Sequence, residues 1–225
     1  MHFHIITLFP EAMEGYFSAS ILGRAQKDKK IKVSYYNPRD FTKDKWRRVD
    51  RRPYGGGPGM VIEAPAVLSA AKKAIGKNKN VKVIFLSADG KQFTNTTARS
   101  YAKKFKHLVF ICGHYEGVDA RVRKILKAKE VSIGPYILTG GEAPTLVIAD
   151  AVARQLSGVL GNFESLEEDR IASSEVYTRP EVLTFGGKTY RVPKVLLSGR
   201  HKDIEEWKKG RGIRTSKPAG VEKRD

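Results

Sequence analysis

The chain has 225 residues, a single cysteine and a net charge of +18, from 42 Lys and Arg against 24 Asp and Glu. This length allows one large domain, or a medium domain with a small one, and one cysteine excludes an internal disulfide framework. No stretch nears the roughly 20 apolar residues of a membrane span, and no basic region followed by an apolar segment marks a signal peptide. A cytoplasmic protein with no membrane partner is expected.

In chain order, His2–Phe9 alternates loosely and ends at Pro10, which predicts a first strand. Residues 11–26 place Met13, Phe17, Ile21 and Leu22 at helical spacing. Ile31–Asn37 reads as a second strand, and residues 38–60 as a long basic, glycine-rich loop. Within Arg24–Arg52, 12 basic side chains face four acids, a field that attracts polyanions such as nucleic acid. Pro65–Ile75 predicts a helix that Gly76 ends, and Val81–Leu86 a buried strand. Thr96–Phe105 predicts a helix, Leu108–Ile111 a strand, Val118–Ala128 a short helix, Glu130–Ile133 a strand and Thr145–Leu160 a long helix. Strands alternating with helices predict an α/β layer on a mostly parallel sheet. The polar, acidic stretch at 161–175 reads as a linker between a main domain, 1–160, and a small unit, 176–225, with a helix at 201–209.

Three glycine-rich turns stand out: Gly55-Gly56-Gly57-Pro58-Gly59-Met60, Ile111–Gly117, and Ile133–Glu142. The last two, with Leu86-Ser87-Ala88-Asp89-Gly90, each follow a strand. In open α/β sheets the ligand sits beyond the carboxyl ends of strands, so these loops are expected to converge on one small molecule. Their backbone groups can hydrogen-bond a nucleobase, with Ile133, Ile137 and Leu138 as apolar walls. Asp89, Glu116 and Glu142 are candidates for a ribose or a cationic ligand. No Gly-Lys-Ser/Thr follows the first turn, and no Gly-x-Gly-x-x-Gly opens a helix, so neither a triphosphatase loop nor a dinucleotide fold is supported. His2, His4, His107, His114 and His201 show no paired spacing, and with one cysteine they form no metal-ligand pattern. Cys112 follows an apolar run and reads as a core thiol. For Arg154 an i,i+4 ion pair with Asp150 stands beside any catalytic role, and for Asp169 a solvated linker position.

The ordered turns resemble the bacterial tRNA (guanine-N1)-methyltransferase family. Phe9-Pro10-Glu11, Asp150-Ala151-Val152-Ala153-Arg154, Tyr177-Thr178-Arg179-Pro180-Glu181 and Val192–Gly199 extend the resemblance over nearly the whole chain. His114 stands where that family has arginine, Ala88 where proline is common and Pro135 where aspartate is common. The stretch after Asp169 is shortened.

The resemblance implies an α/β methyltransferase domain of the SPOUT type, with a deep trefoil knot, plus a small C-terminal helical domain. It implies a homodimer and S-adenosylmethionine as methyl donor, bounded by Leu86, Ser87, Gly113, Tyr115, Glu116, Ile133, Tyr136, Ile137, Leu138, Gly140, Gly141 and Pro144. Magnesium is a further candidate, without a recognisable cage. Gly55, Gly56, Gly57, Pro58, Gly59 and Met60 are expected at the substrate, the anticodon arm of tRNA; DNA is not expected. The family's catalytic pair matches Asp169, as general base toward N1 of guanine 37, and Arg154, as stabiliser of charge on O6. Donor and Arg154 would come from one chain and Asp169 from its partner. Two alternatives stay open: the same fold acting at another RNA position, and a non-catalytic RNA-binding protein.

Overall fold

The computed structural model describes residues 1–160 and 175–210. The chain divides into two units, Met1–Phe163 and Glu164–Asp225.

The first unit is built on five strands: β1 (His2–Ile6), β2 (Lys32–Tyr36), β5 (Val81–Gln92), β6 (His107–Ile111) and β7 (Lys129–Ser132). Their order is β2-β1-β6-β5-β7, and every pairing is parallel. A parallel sheet is buried on both faces, so its strands carry apolar residues at successive positions. In β6, Leu108 and Phe110 face one core while Val109 and Ile111 face the other. The first core is closed by α1 (Glu11–Ser18), α2 (Ser20–Lys27), α4 (Asn95–Lys104) and α6 (Glu142–Ala153); the second is closed by α3 (Ala64–Ile75) and α5 (Ala120–Ile125). This makes a three-layer α/β unit. None of the described helices is long and apolar enough to cross a membrane.

Several elements depart from the periodicity. The helix expected over 11–26 is two helices, broken at Ala19, whose backbone is extended, and Ser20, at φ 49°. Gly23 permits the break, because a Cβ there would lie 2.2 Å from the Ser18 carbonyl oxygen. The loop expected over 38–60 contains a single helical turn at Pro38–Asp40 and a short strand β3 (Asp50–Arg51), paired antiparallel with β4 (Val61–Ile62). β5 continues past Leu86: both Leu86 and Lys91 pair with Val131, so residues 87–90 loop out between two paired stretches. Gly90 makes this fit, since a Cβ there would meet the Val131 backbone nitrogen at 2.6 Å. The long helix opens at Glu142 and closes at Ala153, three residues before and seven residues before the expected ends.

In the second unit the described residues form a hairpin of β8 (Val182–Phe185) and β9 (Lys188–Arg191), then α7 (Lys194–Leu197) and α8 (His201–Gly210). The hairpin turns through Gly186 and Gly187, both at positive φ, as a tight two-residue connection requires. α8 matches the helix expected at 201–209.

Candidate functional site

Because all five strands run in parallel, the loop within β5 at residues 87–90 and the segments leaving β6 and β7 emerge at the same end of the sheet. There they enclose a cleft of about 350 Å³, near the lower end of the range for small-molecule sites. Leu86, Ser87, Gly113, Tyr115, Glu116, Ile133, Tyr136, Ile137, Leu138, Gly140, Gly141 and Pro144 all line it. The family resemblance implied each of these twelve, from positions as far apart as 86 and 144.

Close backbone approach shapes the floor. The Gly141 amide donates to the Gly113 carbonyl at 2.9 Å. A Cβ on Gly141 would lie 2.6 Å from Cys112 Cα, so only glycine lets the start of α6 seat against the end of β6. Below this contact Cys112 Sγ and Thr145 Oγ1 lie 3.2 Å apart. Burial, then the Glu142 carboxylate, pushes the Cys112 thiol up, which leaves it protonated and inert. The segment after β7 is held by Ser132, whose hydroxyl donates to the Gly134 carbonyl at 2.9 Å. Tyr136 folds back over Gly134, and its hydroxyl donates to the Ile133 carbonyl at 3.3 Å.

The cleft's lip is apolar and open to solvent. Ile137 is 89% exposed, and Tyr115, Tyr136 and Leu138 are also exposed. Such a patch on a well-packed unit marks a place where something binds.

Of the three acids, Glu116 lines the cleft, whereas Asp89 is exposed outside its lining. Glu142 is occupied elsewhere: the Thr7 hydroxyl donates to its Oε1 at 2.6 Å, and His114 Nδ1 lies 3.9 Å from its Oε2. His114 also lines the cleft, its ring packed 4.8 Å from that of Phe9. Phe85, Val118 and Ser132 also contribute to the lining, outside the turns that the sequence singled out. Their signal was adjacency, since each flanks a turn already singled out.

The Gly55–Met60 turn runs up to the same rim. The Glu116 amide donates to the Met60 carbonyl at 3.0 Å, and the Ile62 amide to the Gly117 carbonyl at 3.0 Å. Gly59 abuts Glu116, where a Cβ would come within 2.5 Å of Oε1. Gly55, Gly56 and Gly57 stand at positive φ with open space around them, and Pro58 is exposed beside them.

Arg154 caps the other end of α6, its amide bonded to the Asp150 carbonyl at 3.0 Å. It is not among the cleft's lining residues. Twelve positions beyond Glu142, it stands about 18 Å farther along the helix axis. The Asp150 carboxylate accepts a hydrogen bond from the Tyr16 hydroxyl, which raises the tyrosine's pKa. Asp169 lies outside the described residues.

Comparison with known proteins agrees with the arrangement of these turns. Residues 1–220 match the family model described as tRNA (Guanine-1)-methyltransferase TrmD. A tRNA (guanine-N(1)-)-methyltransferase of Carboxydothermus hydrogenoformans is 47% identical over 217 residues, covering 95% of this chain and 83% of that protein. One from Caldanaerobacter subterraneus is 46% identical over 217 residues, covering 95% and 87%. One from Buchnera aphidicola is 41% identical over 218 residues, covering 95% and 90%. On the match of nearly its whole length, the chain belongs to the tRNA (guanine-N1)-methyltransferase family and carries that family's knotted α/β fold.

Proposed function

We propose that this protein transfers a methyl group from S-adenosylmethionine to N1 of a guanine in tRNA, at position 37 beside the anticodon, in the cytoplasm. The observation that carries the reading is the convergence of twelve residues from three segments far apart in the chain on one cleft, in a chain of this family. The residues present fit such a donor. Leu86, Ile133, Ile137 and Leu138 offer apolar walls to a purine, the glycine-rich backbones offer donors and acceptors to its edge, and Glu116 offers a carboxylate to a cationic group. When bound, the donor supplies an electrophilic methyl carried on a sulfonium.

The chain's own residues then act on the guanine. N1 carries a proton at neutral pH and is a poor nucleophile until that proton leaves. Asp169 takes it as general base. Arg154 donates to O6, where negative charge develops as N1 is deprotonated. We assign these two groups to different chains of a homodimer. One feature supports a second chain: α6 leaves Val147 half exposed toward solvent. The basic segment 24–52 and the Gly55–Met60 turn are placed against the anticodon arm, whose unpaired bases can be splayed out at low cost. Among the described residues, the metal-ligating group is three imidazoles rather than the oxygens magnesium takes, so no residue described here is assigned to magnesium.

The test is transfer of labelled methyl from S-adenosylmethionine to an unmodified tRNA transcript with guanines at 36 and 37, followed by nucleoside mapping. N1-methylguanine at 37, absent from a transcript with adenine there, is expected. Methylation of both transcripts, or none despite donor binding, would overturn the assignment.

A further inference from the structure

Three histidines distant in the chain meet on the face of the sheet that α3 covers. His2 and His4 alternate along β1 and so point the same way. His107 opens β6 and is the in-register neighbour of His2. One ring nitrogen from each lies within 4.8 Å of those from the other two. This cluster sits toward the amino ends of the strands, whereas the cleft lies past their carboxyl ends. From His107 to Cys112 the strand spans about 17 Å.

The geometry is that of a ligand set. His4 Nε2 is 3.1 Å from His107 Nδ1, and a tetrahedral ion with metal–nitrogen bonds of about 2.0–2.1 Å separates its ligands by about 3.3 Å. This pair therefore already stands at coordination spacing, and a His2 ring nitrogen lies within 4.8 Å of both. The outer nitrogens are engaged by strand β2: His4 Nδ1 is 3.1 Å from the Tyr36 hydroxyl, and His2 Nε2 is 2.9 Å from the Ser34 hydroxyl. Such partners fix the tautomer of a ligating histidine and hold its ring in place. They leave His4 Nε2 facing His107 Nδ1. Lys32, Lys106 and the N-terminal ammonium stand beside the cluster, and they oppose a cation, so a modest affinity is expected rather than a very tight one.

We propose that His2, His4 and His107 form a binding site for one divalent first-row transition ion of the zinc class, separate from the methyl-transfer cleft. Imidazole suits zinc, cobalt, nickel and copper, and three of them leave a fourth position for water. The site escaped sequence reading because its third ligand comes 103 residues after the second; only the β1–β6 pairing brings it close.

The probe is Co²⁺, titrated into the full-length, tag-free chain after chelator treatment. Expected is saturation at one ion per chain in the micromolar range, with the visible absorption of a four-coordinate site that Zn²⁺ abolishes. His2→Gln and His107→Gln should each weaken binding by about 10-fold or more, and Tyr36→Phe by about 10-fold through loss of the outer partner. His201→Gln should bind as the wild type does. Thermal melting reports the folding of each variant. If His107→Gln does not fold, the wild-type stoichiometry and Tyr36→Phe still decide. Absence of saturable Co²⁺ binding by the wild type, or equal binding by the folded His2→Gln and His107→Gln variants, would overturn the proposal.

Discussion

Replacing Gly141 with alanine isolates the contact on which the cleft's floor depends. The backbone at Gly141 has φ −82°, which alanine adopts freely, so the substitution adds no dihedral strain. Its cost is steric. The new Cβ would stand 2.6 Å from Cys112 Cα, 3.0 Å from Cys112 Cβ and 3.0 Å from the Gly113 nitrogen. Two of those atoms are backbone and cannot turn aside, so the start of α6 must move away from the end of β6. Overpacking of this kind costs about 1–3 kcal/mol, and stretching the 2.9 Å bond from Gly141 to Gly113 adds about 1 kcal/mol. The sum, about 2–4 kcal/mol, corresponds to a fall of about 5–15 °C in Tm for a unit of this size. Thermal melting by circular dichroism measures it, and titration calorimetry should show donor affinity falling in parallel. Gly113→Ala is the control. Its Cβ would meet nothing closer than Val118 Cγ2 at 3.7 Å, so its Tm should stay within a few degrees of the wild type. A Gly141→Ala protein that melts with the wild type would refute the reasoning.

Removing either proposed catalytic group, by Asp169→Ala or Arg154→Ala, should lower single-turnover methyl transfer by about 10²–10⁴-fold with donor affinity unchanged; losses confined to tRNA binding would show a different role. Mixing the two inactive chains under exchange conditions should restore roughly a quarter of wild-type activity, because half the dimers are hybrids with one intact site; no recovery would place both groups on the same chain. Trp46 is 69% exposed with the Lys45 ammonium 4.9 Å from its ring, a platform on which a base can stack. Trp46→Ala should weaken tRNA binding by about 1–3 kcal/mol in a filter-binding assay, and equal affinity would remove it from the interface. The Cys112 thiol, raised from its ordinary 9.0, keeps its proton in the folded chain after the unfolded chain has released it. The thiol's contribution to stability should therefore be complete well below pH 9 and fall by about 1 kcal/mol between pH 9 and 10, a loss that Cys112→Ala removes.

The cleft was legible because its signals are local and the topology is simple. A glycine-rich turn after a strand can be read from a few residues, and a parallel sheet then carries all such turns to one edge. What stayed hidden was non-local. The break at Ser20 depends on Gly23 meeting the Ser18 carbonyl, a contact that helical periodicity ignores. The extension of β5 beyond Leu86 depends on Val131 pairing twice, through residues that read as a polar turn. The β3–β4 pair joins two-residue strands too short to show alternation. The histidine cluster combines a pair on one strand with a third residue from another, and no spacing rule in one dimension contains it.

The central claim is that the cleft holds the methyl donor, and S-adenosylmethionine titrated into wild-type and Ser87→Trp protein tests it most directly. Ser87 sits on the segment that loops out between the two paired stretches of β5, and an indole there would occupy a large share of a cleft of about 350 Å³. The account predicts one donor site per chain in the wild type, and at least a roughly tenfold loss of affinity in a Ser87→Trp protein that still melts normally. Undiminished binding by the folded variant would put the donor elsewhere and contradict the account.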